Sequence, residues 1–153
     1  MISLRITLGN DRSGHYLDAG RSKDWWAQAI RDLAHAEDSR GNSMHEWACF
    51  AAQQAAEKAV KALYFYLGYE ARGNAVARLI YEVPGLVMMD HQIIERARVL
   101  DTYYIPCRYP DSHAEGAPFE RYGPLQSEQA MLYAGEILEF VRNEVTRRED
   151  GDT

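Results

Sequence analysis

Arg108 and His113 are the residues whose types and spacing best suit them to do chemistry. They stand in the stretch IPCRYPDSH, residues 105–113. An arginine presents a rigid planar fork of N–H donors that matches two phosphate oxygens at once. A histidine exchanges a proton near neutral pH. Together the two groups suffice for RNA cleavage without a metal. The histidine would serve as base or acid at the ribose 2′-hydroxyl, and the arginine would stabilise charge building on the phosphoryl oxygens. The spacing R-x4-H also arises by chance. The competing reading is that Arg108 pairs with Asp111 to fix a turn while His113 faces solvent.

A second polar cluster lies in QQAAEKAVK, residues 53–61. On a helix, Gln54, Lys58 and Lys61 follow i, i+4, i+7 and share a face, and Glu57 precedes Lys61 by the four residues that favour an ion pair. That face is either solvated or turned to a cleft where it would help bind phosphate. Other chemistries find little support. HEWAC, residues 45–49, begins like HExxH but has Cys49 where the second histidine would stand, and no other histidine has a ligand-spaced partner. No GxGxxG, P-loop or GxSxG occurs. Neither a metal nor a cofactor is expected.

These residues must be positioned by helices. DWWAQAIRDLAHAEDS places Trp26, Ala29, Ile30, Leu33 and Ala36 on one face, and Gly41 ends it. Ser43 stands three residues before Glu46, the spacing of a capping box for the next helix. That helix, MHEWACFAAQQAAEKAVKALYFYLG, is alanine-rich and stops at Gly68. A shorter one after Gly73 carries Val76, Leu79, Ile80 and Val83 on a stripe, and Pro84-Gly85 closes it. A fourth spans about 87–104, with Met89, Ile93, Ala97, Leu100 and Tyr104 in line. A fifth spans about 127–146, with Ala130, Ala134, Ile137, Leu138, Val141 and Val145. With no run of strands to cover these stripes, the expected fold is all-α, an up-and-down antiparallel bundle of four to five helices.

Four of the five prolines fall in residues 105–126, together with Tyr109, Phe119 and Tyr122. Long connections inside compact bundles are usually functional or disordered, and prolines and aromatics favour an ordered one. The loop is expected to pack over the second helix near Lys58. Residues 1–23 read as an N-terminal extension in which ISLRITL permits a short strand. Residues 24–146 form the helical domain, and 147–153 a charged, frayed tail.

A chain of 153 residues suffices for one domain with a sizeable core. Its net charge of −6 argues against a broad basic surface, so any nucleic-acid site must be local. No apolar run is long enough to span a membrane. Cys49 and Cys107 match no CxxC pattern, and two unpaired thiols suit a cytoplasmic protein.

Taken together, CFAAQQAAEKAVKALYFYLG at 49–68, LDTYYIPCRYPD at 100–111 and AGEILEFVRNEV at 134–145 resemble the HEPN domain family, in its RYPD-bearing branch. The resemblance covers about residues 24–146. It implies a small helical bundle, usually a homodimer, often paired with a minimal nucleotidyltransferase in a toxin–antitoxin system. Many members are metal-independent endoribonucleases with an R-x4-6-H motif at the dimer cleft, which Arg108 and His113 fit. Others bind nucleotides or act as non-catalytic partner modules. Tyr109 and Asp111, inside the RYPD segment, join Lys58, Lys61 and Gln54 as candidate phosphate-binding residues. Some members carry a tyrosine two residues after the histidine, where this chain has Glu115. A histidine common near the third helix is absent from Gly73-Asn74-Ala75.

Overall fold

The computed structural model describes residues 15–86 and 90–151, with side chains from residue 20 onward. Among the described residues there are six α-helices, one 3-10 turn and no strand. They are α1 (His15–Gly41), α2 (His45–Tyr66), α3 (Val76–Tyr81), α4 (His91–Asp101), the 3-10 turn Pro110–Ser112, α5 (Pro118–Arg121) and α6 (Pro124–Gly151). The all-α bundle expected from periodicity is the fold. The segment ISLRITL and the position of Met89 lie outside the described residues.

α2 is the central element. Its alanines at 48, 51, 52, 55, 56, 59 and 62 are all buried, and the small side chains let α1 and α6 pack closely on either side. Val60, Leu63, Leu100, Ile137, Leu138 and Val141 complete the core at no measurable exposure. Each such side chain contributes about 1.5–3 kcal/mol through burial. α1 runs antiparallel to α2: Ser22 Oγ donates to the Ala62 carbonyl at 2.6 Å, and Trp25 stacks on Phe65 at 5.5 Å.

Several boundaries differ from the sequence expectation for local reasons. α1 reaches back to His15 instead of starting near Asp24, helped by the Arg21–Asp24 pair at 3.0 Å and the buried Ser22 bond. Ser43 does not cap α2. It takes a left-handed φ of 60° in the tight turn, Met44 becomes the N-cap residue, and no side chain caps that end. Gly68 does stop α2, at φ 83°, where a side chain would be strained. α6 continues to Gly151 because Arg147 and Arg148 both reach Glu144, and Arg148 also donates to the Pro84 carbonyl at 2.8 Å.

α3 is short and held from outside. Both carboxylate oxygens of Asp101, at the end of α4, accept from its first N–H groups: Val76 at 2.7 Å and Ala77 at 3.1 Å. Asp90, the residue just before α4, caps that helix through Oδ1 alone, which accepts from Gln92 N–H at 2.9 Å and from Ile93 N–H at 3.4 Å. No described helix is long and apolar enough to cross a membrane.

Candidate functional site

The connection between α4 and α6 is ordered by its own turns and by contact with α2. Arg108 N–H donates to the Ile105 carbonyl at 3.0 Å, and the 3-10 turn ends with His113 N–H on the Pro110 carbonyl at 3.0 Å. Cys107 is buried beside Cys49 of α2, and Tyr103 packs edge-on against Tyr122 at 5.9 Å. The neighbouring thiol and burial push the Cys49 thiol far up, so it stays protonated. The same surroundings raise the Tyr103 phenol to about 12, chiefly by burial. The loop therefore docks on the first half of α2, at Cys49 and Phe50. The expected position near Lys58 is not adopted; Lys58 lies eight residues beyond Phe50, about 12 Å along the helix axis.

Arg108 is held in an aromatic cage. Its guanidinium carbon lies 4.3 Å from the centre of the Phe50 ring, 4.8 Å from that of Tyr104 and 5.3 Å from that of Tyr109. Its Nε–H donates to the Tyr104 carbonyl at 2.9 Å. A cation over a ring gains about 0.5–2 kcal/mol depending on desolvation, so the cage favours one rotamer over the many that arginine otherwise samples. Among the described residues, the terminal Nη groups make no hydrogen bond and no ion pair. Asp111 is exposed and does not pair with Arg108. The cage thus fixes the guanidinium while leaving its outer donors open to an anion.

His113 is half-buried, edge-on to Tyr122 at 6.0 Å. Its Nε2 lies 2.7 Å from the Pro106 carbonyl. A carbonyl only accepts, so Nε2 carries a proton and Nδ1 of the neutral ring keeps its lone pair. The bond fixes the ring against the backbone two residues before Arg108.

The structure separates the α2 cluster from this loop. Lys58 pairs with Asp32 of α1 and donates more weakly to Gln54 Oε1 at 3.4 Å. Gln54 donates to Gln53 at 2.7 Å. Lys61 sits 3.8 Å from Glu57 and 5.6 Å over the Trp25 ring. Burial raises the Glu57 carboxyl above its usual range, an effect the two lysines only partly offset. Both lysine charges are therefore engaged by carboxylates, and both face α1. Arg108, Tyr109, Asp111 and His113 remain together on the loop.

Phe50, Tyr104 and Trp47 are the residues that sequence reasoning did not assign to the site. Trp47 packs edge-on to Phe50 at 6.3 Å, and Phe50 meets Tyr104 at 6.2 Å. The available signal was local: Trp47 and Phe50 stand three apart on one helix face, and Tyr104 stands four before Arg108. Beside Tyr104 opens a depression of about 370 Å³, bordered by Asn74, Ala75, Asp101, Ile105 and Pro106. Among the described residues no cluster of three or more His, Cys, Asp or Glu side chains could hold a metal ion.

The family model described as "HEPN domain" matches residues 22–144. The crystal structure of TT1696 from Thermus thermophilus is similar at 44% identity and a TM-score of 0.78, covering 80% of this chain and 97% of that one. ST0689, described as an archaeal HEPN homologue, is 38% identical with a TM-score of 0.69, covering 81% and 97%. A HEPN domain protein from Thermotoga maritima, tm0613, is 31% identical with a TM-score of 0.67, covering 81% and 98%. No curated protein matches the chain.

Proposed function

The chain belongs to the HEPN domain family, and from that membership we propose that it binds the phosphate of a nucleotide or of RNA at Arg108. The observation that supports this reading most is the caged guanidinium, stacked on Phe50, Tyr104 and Tyr109 with its terminal donors unpaired among the described residues. A buried or half-buried arginine without a carboxylate partner is a ready receptor for a phosphate oxygen pair.

In its sharper form the proposal is a metal-independent endoribonuclease. His113 Nδ1 takes the proton of the 2′-hydroxyl, the oxygen attacks phosphorus, and the bond to the leaving oxygen breaks to give a cyclic phosphate. Arg108 stabilises the charge on the phosphoryl oxygens as the reaction proceeds. A homodimer, as the family resemblance implies, would bring two copies of Arg108 and His113 to one cleft and supply a second histidine to protonate the leaving group. The second reading is a non-catalytic nucleotide-binding or partner module of a minimal nucleotidyltransferase in a toxin–antitoxin pair. It draws support from His113, one of whose ring nitrogens is already committed to the Pro106 carbonyl.

The test is RNA cleavage by purified protein in EDTA, with Arg108→Ala and His113→Ala alongside. Loss of cleavage in both variants, with folds intact, supports the nuclease. Cleavage that survives His113→Ala removes that residue from the chemistry. Binding of RNA without cleavage by the wild type favours the module.

A further inference from the structure

The cage around Arg108 continues into an exposed aromatic surface that phosphate binding does not use. Trp47 stands on the first turn of α2, 46% exposed, edge-on to Phe50 at 6.3 Å. Phe50 in turn lies 4.3 Å from the Arg108 guanidinium. Tyr109, whose ring centre lies 5.3 Å from the same guanidinium carbon, is 50% exposed. Neither the Trp47 indole N–H nor the Tyr109 hydroxyl makes a hydrogen bond among the described residues. The half-exposed Trp47 ring therefore stands one ring, Phe50, away from a guanidinium whose terminal donors are unpaired among the described residues. This arrangement suits a ligand that is flat and apolar at one end and anionic at the other.

We propose that Trp47 is a base-stacking residue, and that the site takes single-stranded RNA with an unpaired base on the Trp47 ring and a nearby phosphate on Arg108. This rests on the reading of Arg108 as the phosphate anchor and narrows it to a ligand class. Aromatic side chains stack on any unpaired base, because every base has a π-face. In an A-form duplex those faces are covered by neighbouring bases, and the side chain has no access to them. Charge points the same way. Duplex tracking relies on many cations along the backbone, whereas this chain carries a net −6 and its α2 lysines are engaged by Asp32 and Glu57. One guanidinium per chain, supplemented by stacking, fits a short unpaired segment.

The experiment is equilibrium binding of an end-labelled short single-stranded RNA, the same sequence as a duplex, and tripolyphosphate measured directly by calorimetry. Wild type is compared with Trp47→Ala, Trp47→Phe and Arg108→Ala. Trp47 is a surface residue, so its variants should fold, and circular dichroism checks this. The expected result is a loss of about tenfold or more in single-strand affinity for Trp47→Ala. Trp47→Phe recovers most of it, tripolyphosphate binding falls far less than RNA binding in both, and the duplex binds more weakly than the single strand. Arg108→Ala loses both RNA and tripolyphosphate. If Arg108→Ala loses binding while Trp47→Ala does not, the stacking inference fails and the phosphate reading stands. Equal binding of duplex and single strand also overturns the inference. If wild type binds neither RNA nor tripolyphosphate, both readings fall. If Trp47→Ala weakens RNA binding only by changing the oligomeric state seen in sedimentation, Trp47 belongs to a subunit contact and the inference is wrong.

Discussion

Replacing Asp101 by alanine should detach the start of α3 from the end of α4. Two charge-assisted hydrogen bonds disappear, at 2.7 Å to Val76 N–H and 3.1 Å to Ala77 N–H. Removing a helix-capping side chain typically costs about 0.5–2 kcal/mol, and each bond to a charged group about 1.5–3 kcal/mol. The opposing effect is relief of burying a charge. Burial raises the Asp101 carboxyl above its ordinary 3.8 even though both N–H groups pull it down, so desolvation outweighs the bonds for the ionised form. The freed N–H groups can also reach water, because Asp101 borders the open depression beside Tyr104. The net cost therefore belongs near the capping range, about 1–2 kcal/mol. At about 2–4 °C per kcal/mol for a chain of this size, the melting temperature should fall by roughly 5 °C. Asp101→Asn should lose about half as much, since it keeps one acceptor and removes the buried charge. Thermal unfolding followed by circular dichroism reads both. An unchanged melting temperature in Asp101→Ala, or a larger loss in Asp101→Asn than in Asp101→Ala, would show that Asp101 does not hold α3 in this way.

Arg108→Lys keeps the charge but loses the Nε–H bond to Tyr104 and the flat face that stacks on Phe50; RNA affinity should drop roughly tenfold, or about 1–2 kcal/mol, in a binding titration. Lys58→Ala leaves Asp32 without its ion-pair partner, so urea unfolding should show a loss of about 1 kcal/mol while RNA affinity stays within about twofold. For Glu57 the folded carboxyl lies above its ordinary 4.5, chiefly through burial, so its contribution favours folding below that value and is lost as pH rises through the folded value. Relative to Glu57→Gln, the wild type should lose stability as pH rises from about 4.5 towards neutrality; a pH-independent difference in unfolding free energy would contradict this.

The helices were legible where their causes are local. The stripe Val76, Leu79, Ile80 and Val83 is buried throughout, as are the six residues read on the last helix, from Ala130 to Val145. The Glu57–Lys61 pair follows from i, i+4 spacing and is present at 3.8 Å. Ser43 and Glu46 matched a capping box, yet the tight turn after Gly41 sets Ser43 at positive φ and overrides that pattern. The polar face of α2 was legible, but its partners were not, because Asp32 and Trp25 belong to another helix. The same limit applies to the site. Arg108 and Tyr109 stood out on the loop, whereas the ring closest to the guanidinium, Phe50, comes from α2 and is brought there by the docking of Cys107 beside Cys49. Spacing along the chain does not report such contacts.

The salt dependence of single-stranded RNA binding, compared between wild type and Arg108→Ala, probes the role of Arg108 most directly. At low salt, Arg108→Ala should bind at least about tenfold more weakly. Its slope of log affinity against log salt should be shallower by about 0.7, as expected when one fewer phosphate is neutralised on a single strand. Equal affinity and an equal slope in the two proteins would contradict the claim that the caged Arg108 is the phosphate anchor.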